Sequence, residues 1–323
     1  EHQDVLAIAD TFSAHIVKPT PDDVFGGSPP LAFTYGLGGL VIFPMRVGAS
    51  AVLLENGAPP LLLAAIGKQR ITCLFTAPTA YRAMIPMLPE HDVSTLRRCV
   101  SAGETLPEST WRSWFDATGV PLIDGIGATE MLHIFISAAD GDIRPGSTGR
   151  VVPGYEAAVL DSDLKPVAPG TVGRLAVRGP TGCRYLADDR QAVYVQGGWN
   201  ITGDLYTVDA DGYFTYVSRA DDLIVSSGYN IAAPEVENAL LMHPAVAEVA
   251  VVGVPDEDRG TVVKAFVRCA DGHTGSDALV RELQEHVKTT IAPYKYPRVV
   301  EFVGELPKTV TGKLQRHRLK SAD

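Results

Sequence analysis

The chain has 323 residues, 46% hydrophobic and 20% charged, with 38 acidic against 28 basic side chains and a net charge of −10. That length holds about two domains of ~100–200 residues, and the acidic balance argues against wholesale nucleic-acid binding, so any phosphate site must be local. Four cysteines without CxxC spacing favour free thiols in a reducing cytoplasm over disulfides or zinc, and no run of ~20 apolar residues is present to enter a membrane.

Asp4 to Ile16 has helical spacing of apolar residues, as if the chain were entered partway through a domain; the acidic start EHQD is not a signal peptide. From 31 to 123, apolar runs alternate with amphipathic stretches, the pattern of parallel strands with covering helices. Strands are predicted at Ala49 to Leu54, Ile71 to Phe75 and Arg98 to Ser101, and helices at Pro60 to Gln69, Thr79 to Leu88 and Glu108 to Ala117. Pro30 to Gly39, PLAFTYGLGG, is either a turn into a helix from Leu40 or, with aromatic rings beside glycines, a wall for a flat apolar ligand.

Val120 to Ile123 reads as a buried strand end opening into a loop with Gly125, Gly127 and a Thr129-Glu130 pair. Glycines there let a ligand approach the backbone, and ligands of open α/β sheets gather outside that strand edge. A Thr hydroxyl beside a carboxylate suits a phosphate with bound Mg²⁺; a β-to-α turn capping a helix is the plain alternative. Gly146 to Gly179 breaks into short runs, Arg150 to Val152, Tyr155 to Leu160 and Gly173 to Arg178, expected to form a small antiparallel β unit. Thr202-Gly203-Asp204 places a carboxylate after a tight turn, ahead of a strand at Tyr213 to Val217.

The pattern breaks at residues 218–222, SRADD, and the remainder reads as a small α+β domain. Its expected strands are Leu223 to Ser226, Ala247 to Gly253 and Val262 to Arg268; its helices are Pro234 to Met242 and Ser276 to Ile291. Arg219 has either a phosphate or a neighbouring aspartate as partner. Lys313 closes PKTVTGK on a glycine-bearing loop, within a basic tail that on its own reads as solvated surface. The chain has no HExxH, GxSxG or Walker motif, and Glu130 stands where a GxGxxG would need its third glycine.

Taken together, IGATE, ITGDL, RADDLIVSSGYNIAAPEVE and PKTVTGKLQR resemble, in order and separation, the acyl-adenylate-forming superfamily of acyl-CoA synthetases, luciferases and peptide-synthetase adenylation domains. PPLAFTYGLGGLVIFPMRVGAS, CVSAGETLP and DGIGATEMLHIFIS are similar to the benzoate and 2-aminobenzoate (anthranilate) coenzyme A ligases. The resemblance implies an α/β fold: residues 1–218 as part of a large adenylation domain, with a parallel sheet, helices and a small β unit, then a small mobile α+β domain, 219–323, hinged near Asp221.

The resemblance also assigns roles. Ser101, Ala102, Gly103 and Glu104, with Asp124, Gly125, Ile126 and Gly127, would form the adenine slot. Thr129 would hold a phosphate oxygen, Glu130 the Mg²⁺, Asp204 the ribose and Arg219 the ribose-phosphate edge. Lys313 would be the adenylation lysine, and Ser227, Gly228 and Tyr229 would line the path of coenzyme A. The acyl pocket is expected from Phe33, Thr34, Tyr35, Gly36, His133 and Ile134, with a core histidine on an apolar helix face as the plain reading of His133. Many relatives carry an aromatic ring where Ile126 stands. The family's Ser/Thr/Gly-rich phosphate loop should precede EHQDVLAIADTF and is not in this sequence, so the chain resembles the C-terminal three-fifths or so of a ligase.

The expected reaction activates an aromatic acid, of benzoate or 2-aminobenzoate type, with ATP and Mg²⁺, and transfers it to coenzyme A. Two alternatives stay open: a carrier-protein-loading adenylating enzyme, and a fragment that only binds adenylate. Expected partners are small molecules, with no nucleic acid or membrane, and a homodimer is left open.

Overall fold

Each apolar run in the first half is followed by a segment of helical spacing that carries the chain back to the same sheet edge, so successive strands lie parallel. The computed structural model describes residues 1–256, 259–308 and 314–320, and by its internal contacts the chain divides into Glu1–Tyr216 and Val217–Asp323.

The first unit begins with helix α1 (His2–Ile8), which continues as a π-helix to Val17. Its main sheet contains β1 (Val24–Gly27), β2 (Ser50–Val52), β3 (Cys73–Thr76), β4 (Arg98–Ser101), β5 (Leu122–Gly127), β6 (Ile134–Ser137) and β7 (Arg150–Val151), in the order β2-β1-β3-β4-β5-β6-β7. The first five are parallel; β6 and β7 join antiparallel. Two short helices, α2 (Thr34–Leu37) and α3 (Phe43–Val47), are joined by a π turn, Gly38–Ile42. The crossovers carry α4 (Pro59–Gln69), α5 (Pro78–Met84) and α6 (Glu108–Thr118), the first two with proline in the first turn, where its missing N–H costs nothing.

Strand alternation divides the core. Leu74, Cys99 and Leu122 face Tyr81 and Trp114, whereas Phe75, Val100 and Ile123 face Phe12, Phe25 and Phe43. Trp114 sits one turn after Thr110 on the buried side of α6, its ring edge-on to Tyr81 at 4.8 Å; removing it would cost roughly 3–5 kcal/mol. Gly119, at φ 71°, ends that helix in the left-handed conformation. A second sheet runs β10-β11-β9-β8, with β12 on β11; these are β8 (Glu156–Leu160), β9 (Gly173–Arg178), β10 (Val195–Gln196), β11 (Trp199–Val208) and β12 (Phe214–Arg219). Helix α7 (Arg190–Tyr194) precedes β10.

In the second unit, β13 (Leu223–Ser226) and β14 (Tyr229–Ala232) form a hairpin. Ser227 and Gly228 at its turn have φ of 49° and 82°, the left-handed pair that a two-residue hairpin requires. Helix α8 (Ala233–Leu241) leads to β15 (Val246–Asp256), β16 (Gly260–Cys269) and the parallel β17 (Val299–Phe302). Helix α9 (Asp277–Thr290) buries Leu279, Leu283 and Val287, one every four residues, and the Ser276 hydroxyl caps it by accepting from Leu279 N–H. The last described element is α10 (Arg316–Lys320).

Several local expectations are corrected. Asp124 to Gly127 is not a loop: β5 runs on through both glycines because β6 pairs with them. Thr202-Gly203-Asp204 lies inside β11 at a register shift, with Gly203 at φ 79°. The Arg150 run joins the main sheet rather than the small β unit, and β12 continues through Arg219, where a break was expected. The helix expected from Leu40 begins at Thr34.

Candidate active site

In the first unit, the C-terminal ends of β1, β3 and β4 and the far end of β5 bring together most of the residues singled out above. Ser28, just past β1, and Thr76, ending β3, share a hydrogen bond of 2.5 Å. The Tyr35 hydroxyl donates to the carbonyls of Val100 at 2.9 Å and Thr76 at 3.2 Å, fixing α2 against β3 and β4. Beyond β4, Ala102 is buried, Gly103 turns with φ of 92° in open space, and the Glu104 carboxylate accepts from Thr79 N–H at 3.3 Å. A side chain at Gly127 would meet the His133 carbonyl at 2.7 Å, so the backbone there can pack only as glycine.

Asp124, on β5, has a buried oxygen, Oδ1, without a hydrogen-bond partner among the described residues, and burial pushes its pKa up to about 8 against the opposing Gly125 N–H. Its protonated form is therefore accessible near neutral pH and can donate as well as accept a hydrogen bond. Asp204 belongs to the same neighbourhood. Burial raises the pKa of Tyr206, and the charges of Asp204 and Asp124 add to that rise. Burial likewise raises that of Tyr194, with the charges of Glu130 and Asp204 contributing.

Thr129 and Glu130 occupy a single 3₁₀ turn, Thr129–Met131, rather than the start of a helix, and Leu132 leaves it at φ 65°. A segment that sequence reading passed over holds this turn. Thr181 donates to the Met131 carbonyl at 2.8 Å, and Tyr185 donates its phenol proton to Glu130 Oε1, which pushes the phenol pKa up to about 12. No group of three or more His, Cys, Asp or Glu able to hold a metal occurs among the described residues. A lone carboxylate suits Mg²⁺, whose remaining ligands are commonly phosphate oxygens and water.

His133 is not on a helix face; it lies between that turn and β6, 2% exposed. Its ring is edge-on to Phe43 at 4.7 Å and tilted against Phe12 at 5.1 Å and Tyr35 at 5.9 Å. Burial pushes its pKa down to about 3, so the imidazole is neutral at ordinary pH. Of the other residues expected to line an acyl pocket, Gly36 and Ile134 are buried and Thr34 is partly buried, but Phe33 is exposed and does not join the ring cluster around His133.

In the second unit, Arg219 Nε lies 3.5 Å from Asp221 Oδ1, and Lys320 reaches the Asp221 carbonyl at 3.3 Å and the Asp222 carboxylate at 2.9 Å. At the Ser227-Gly228 turn, Arg259 donates to the Ser227 hydroxyl at 3.2 Å, and the Tyr229 ring stacks on Tyr294 at 4.5 Å. Lys313 lies outside the described residues; Lys308 and Leu314, which precede and follow it in sequence, form a β-bridge. Cys73, Cys99, Cys183 and Cys269 are free thiols, and no described helix is long and apolar enough to cross a membrane.

Two family models match the chain: AMP-binding enzyme over residues 1–185 and AMP-binding enzyme C-terminal domain over 235–313. The benzoate–CoA ligase of Thauera aromatica is 41% identical over 327 residues, covering 99% of this chain and 62% of that protein. The mitochondrial acyl-coenzyme A synthetase ACSM3 of Homo sapiens is 38% identical, covering 94% of this chain and 54% of that protein. The solved anthranilate CoA ligase AuaEII, in complex with anthranoyl-AMP, superposes with a TM-score of 0.94 at 42% identity, over 99% of this chain and 63% of that one. The chain thus spans less than two thirds of the length of these relatives.

Proposed function

The chain belongs to the AMP-binding enzyme family, and from that premise we propose that it forms the adenylate-binding portion of an AMP-forming aryl-CoA ligase. The observation that supports the reading is that one unit holds the Ala102–Glu104 loop after β4, Asp124 paired opposite Ser101 on β5, and the Thr129-Glu130 turn that follows β5. Ala102, Gly103, Glu104 and Asp124 to Gly127 border the adenine, Asp204 takes ribose hydroxyls, and Thr129 donates to a phosphate oxygen. Mg²⁺, when bound through Glu130, neutralises phosphate charge.

In the first half-reaction, a carboxylate oxygen of the acid forms a bond to the α-phosphorus of ATP as the bond to pyrophosphate breaks. Lys313 offsets the negative charge that builds on the phosphoryl oxygens. In the second, the thiol sulfur of coenzyme A bonds to the acyl carbon, AMP leaves, and the thiol proton is released. The domain boundary near residue 218 and a hinge at Asp221 would let residues 219–323 present Lys313 for the first step and the Ser227-Gly228-Tyr229 turn for the second. The division of contacts at Tyr216 supports that organisation. Arg219 is assigned to the ribose-phosphate edge.

For the acyl group, the neutral His133 within a cluster of aromatic rings, next to Tyr35, favours a flat aromatic acid, and 2-aminobenzoate is the preferred candidate. Similarity to an acyl-coenzyme A synthetase supports a second, broader reading, in which the acyl group is not restricted to aryl acids. The test is an acid-by-acid screen of pyrophosphate release and thioester formation, with calorimetric binding of a non-hydrolysable aryl-adenylate mimic. Binding of the mimic that is indifferent to the aryl group, or insensitive to Asp204→Ala, would overturn the assignment.

A further inference from the structure

Glu130 carries one functional duty in this reading, yet its own turn is too short to orient it. The Thr129–Met131 turn is three residues long and ends at Leu132 with positive φ, so neither a helix nor a strand fixes the direction of the side chain. What does contact it comes from a segment 55 residues later: Tyr185 donates its phenol proton to Oε1.

Tyr185 is itself tied down. Its N–H donates to Gln191 Oε1 at 2.8 Å, and Gln191 Nε2 donates back to the Cys183 carbonyl at 3.0 Å. The Cys183 N–H is held by Asn200 Oδ1 at 2.9 Å, and Asn200 Nδ2 reaches Val177 of β9 at 3.0 Å. On the same segment, Thr181 donates to the Met131 carbonyl and shares a 3.0 Å hydrogen bond with the buried Tyr155 hydroxyl. The segment therefore grips the Thr129–Met131 turn at two points, one on its backbone and one on the carboxylate.

We propose that Tyr185 is the positioning residue that aims Glu130 at the cation. With Oε1 engaged by the phenol, the carboxylate is kept from rotating and Oε2 remains for a metal. Outer hydrogen bonds of this kind orient metal ligands, and their loss commonly costs ~10–100-fold in metal affinity. The inference rests on the assignment of Glu130 given above and adds a residue that no motif names.

The experiment compares ATP affinity with Mn²⁺ and with EDTA, by calorimetry, and takes the ratio as the metal's contribution. Tyr185→Phe removes one oxygen from a half-buried side chain and is expected to lower that ratio by about tenfold while leaving the EDTA affinity unchanged. Tyr194→Phe, in the adjacent ring at 6.3 Å, should leave both unchanged. An unchanged or larger ratio in Tyr185→Phe, an equal loss in EDTA, or the same loss in Tyr194→Phe would overturn the proposal. Glu130→Ala separates the two levels. If it leaves the ratio intact, the metal assignment of Glu130 falls and the proposal with it. If it removes the Mn²⁺ effect and Tyr185→Phe does not, only the positioning role falls. Should Tyr185→Phe fail to fold, a wild-type structure with Mn²⁺ and nucleotide decides: the phenol stays on one Glu130 oxygen with the cation on the other, or it has turned away and the proposal is wrong.

Discussion

Asp23 joins three strands of the main sheet, and replacing it with alanine should destabilise the first unit far more than replacing an ordinary surface aspartate. Its carboxylate, 3% exposed, accepts from Thr20 N–H at 2.7 Å, the Thr20 hydroxyl at 3.1 Å, the Thr72 hydroxyl at 2.7 Å and Arg97 Nε at 2.6 Å, and also from a terminal Arg97 nitrogen. Stranding one member of a buried pair typically costs about 3–5 kcal/mol. Arg97 is 35% exposed and can recover some hydration, which favours the low end, about 3 kcal/mol. For a unit of this size that corresponds to a fall in melting temperature of roughly 6–12 °C. All three tryptophans, Trp111, Trp114 and Trp199, lie in the first unit, so tryptophan fluorescence follows its unfolding selectively.

Asp140 supplies the control. Its carboxylate is 46% exposed and its pair with Lys18 at 2.9 Å is open to solvent on both sides, but Arg98 at 2.5 Å is 15% exposed, so Asp140→Ala should cost less than Asp23→Ala and more than the ~0–1 kcal/mol of a fully exposed pair. Burial alone would raise the Asp23 pKa, but hydrogen bonds from Arg97, Thr20 and Thr72, together with the Arg97 charge, hold it well below the usual carboxylate range. Because the folded value is depressed, the stabilisation is complete above the unfolded value near ~3.9 and is lost as pH falls through the folded one. The deficit of Asp23→Ala should therefore narrow below about pH 4. A loss under ~1 kcal/mol at neutral pH, or a deficit that widens in acid, would refute the reasoning.

Other outcomes are equally open to measurement. Lys313→Ala should abolish adenylate formation while sparing thioester formation from supplied acyl-AMP; equal loss of both counts against the two-orientation assignment. Asp221→Pro should impair one half-reaction much more than the other, and a variant with both intact removes the hinge. Gly149, at φ 122°, has no room for a side chain, which would lie 2.5 Å from the Ser137 carbonyl oxygen. Gly149→Ala should cost about 3 kcal/mol in the same fluorescence assay, and a neutral result would show that β7 can shift. In the native protein, a thiol reagent should label Cys269 first, because Cys73 is buried with a pKa pushed up to about 12 and Cys99 is buried and raised further; rapid labelling of either would contradict their placement in the core.

Much of the fold was legible in the order of residues. The spacing of Leu279, Leu283 and Val287 specifies one face of α9, and the run Arg98 to Ser101 coincides with β4, because periodicity and turn chemistry are local properties. The family, too, was readable, since ordered short motifs survive as strings. Pairing was not. Whether Arg150 extends the main sheet or a smaller one depends on which edge is open after β6 has folded back, and no local pattern records that. The extended path of Asp124 to Gly127 likewise follows from its β6 partner, although glycine-rich sequence reads as a loop. His133 became a core imidazole only when Phe12, Tyr35 and Phe43 closed around it from distant segments. The sequence by itself determined the elements and the chemical inventory of the site. Tertiary structure alone decided that Tyr185 meets Glu130, because a contact between segments 55 residues apart is set by packing and leaves no periodicity in the chain.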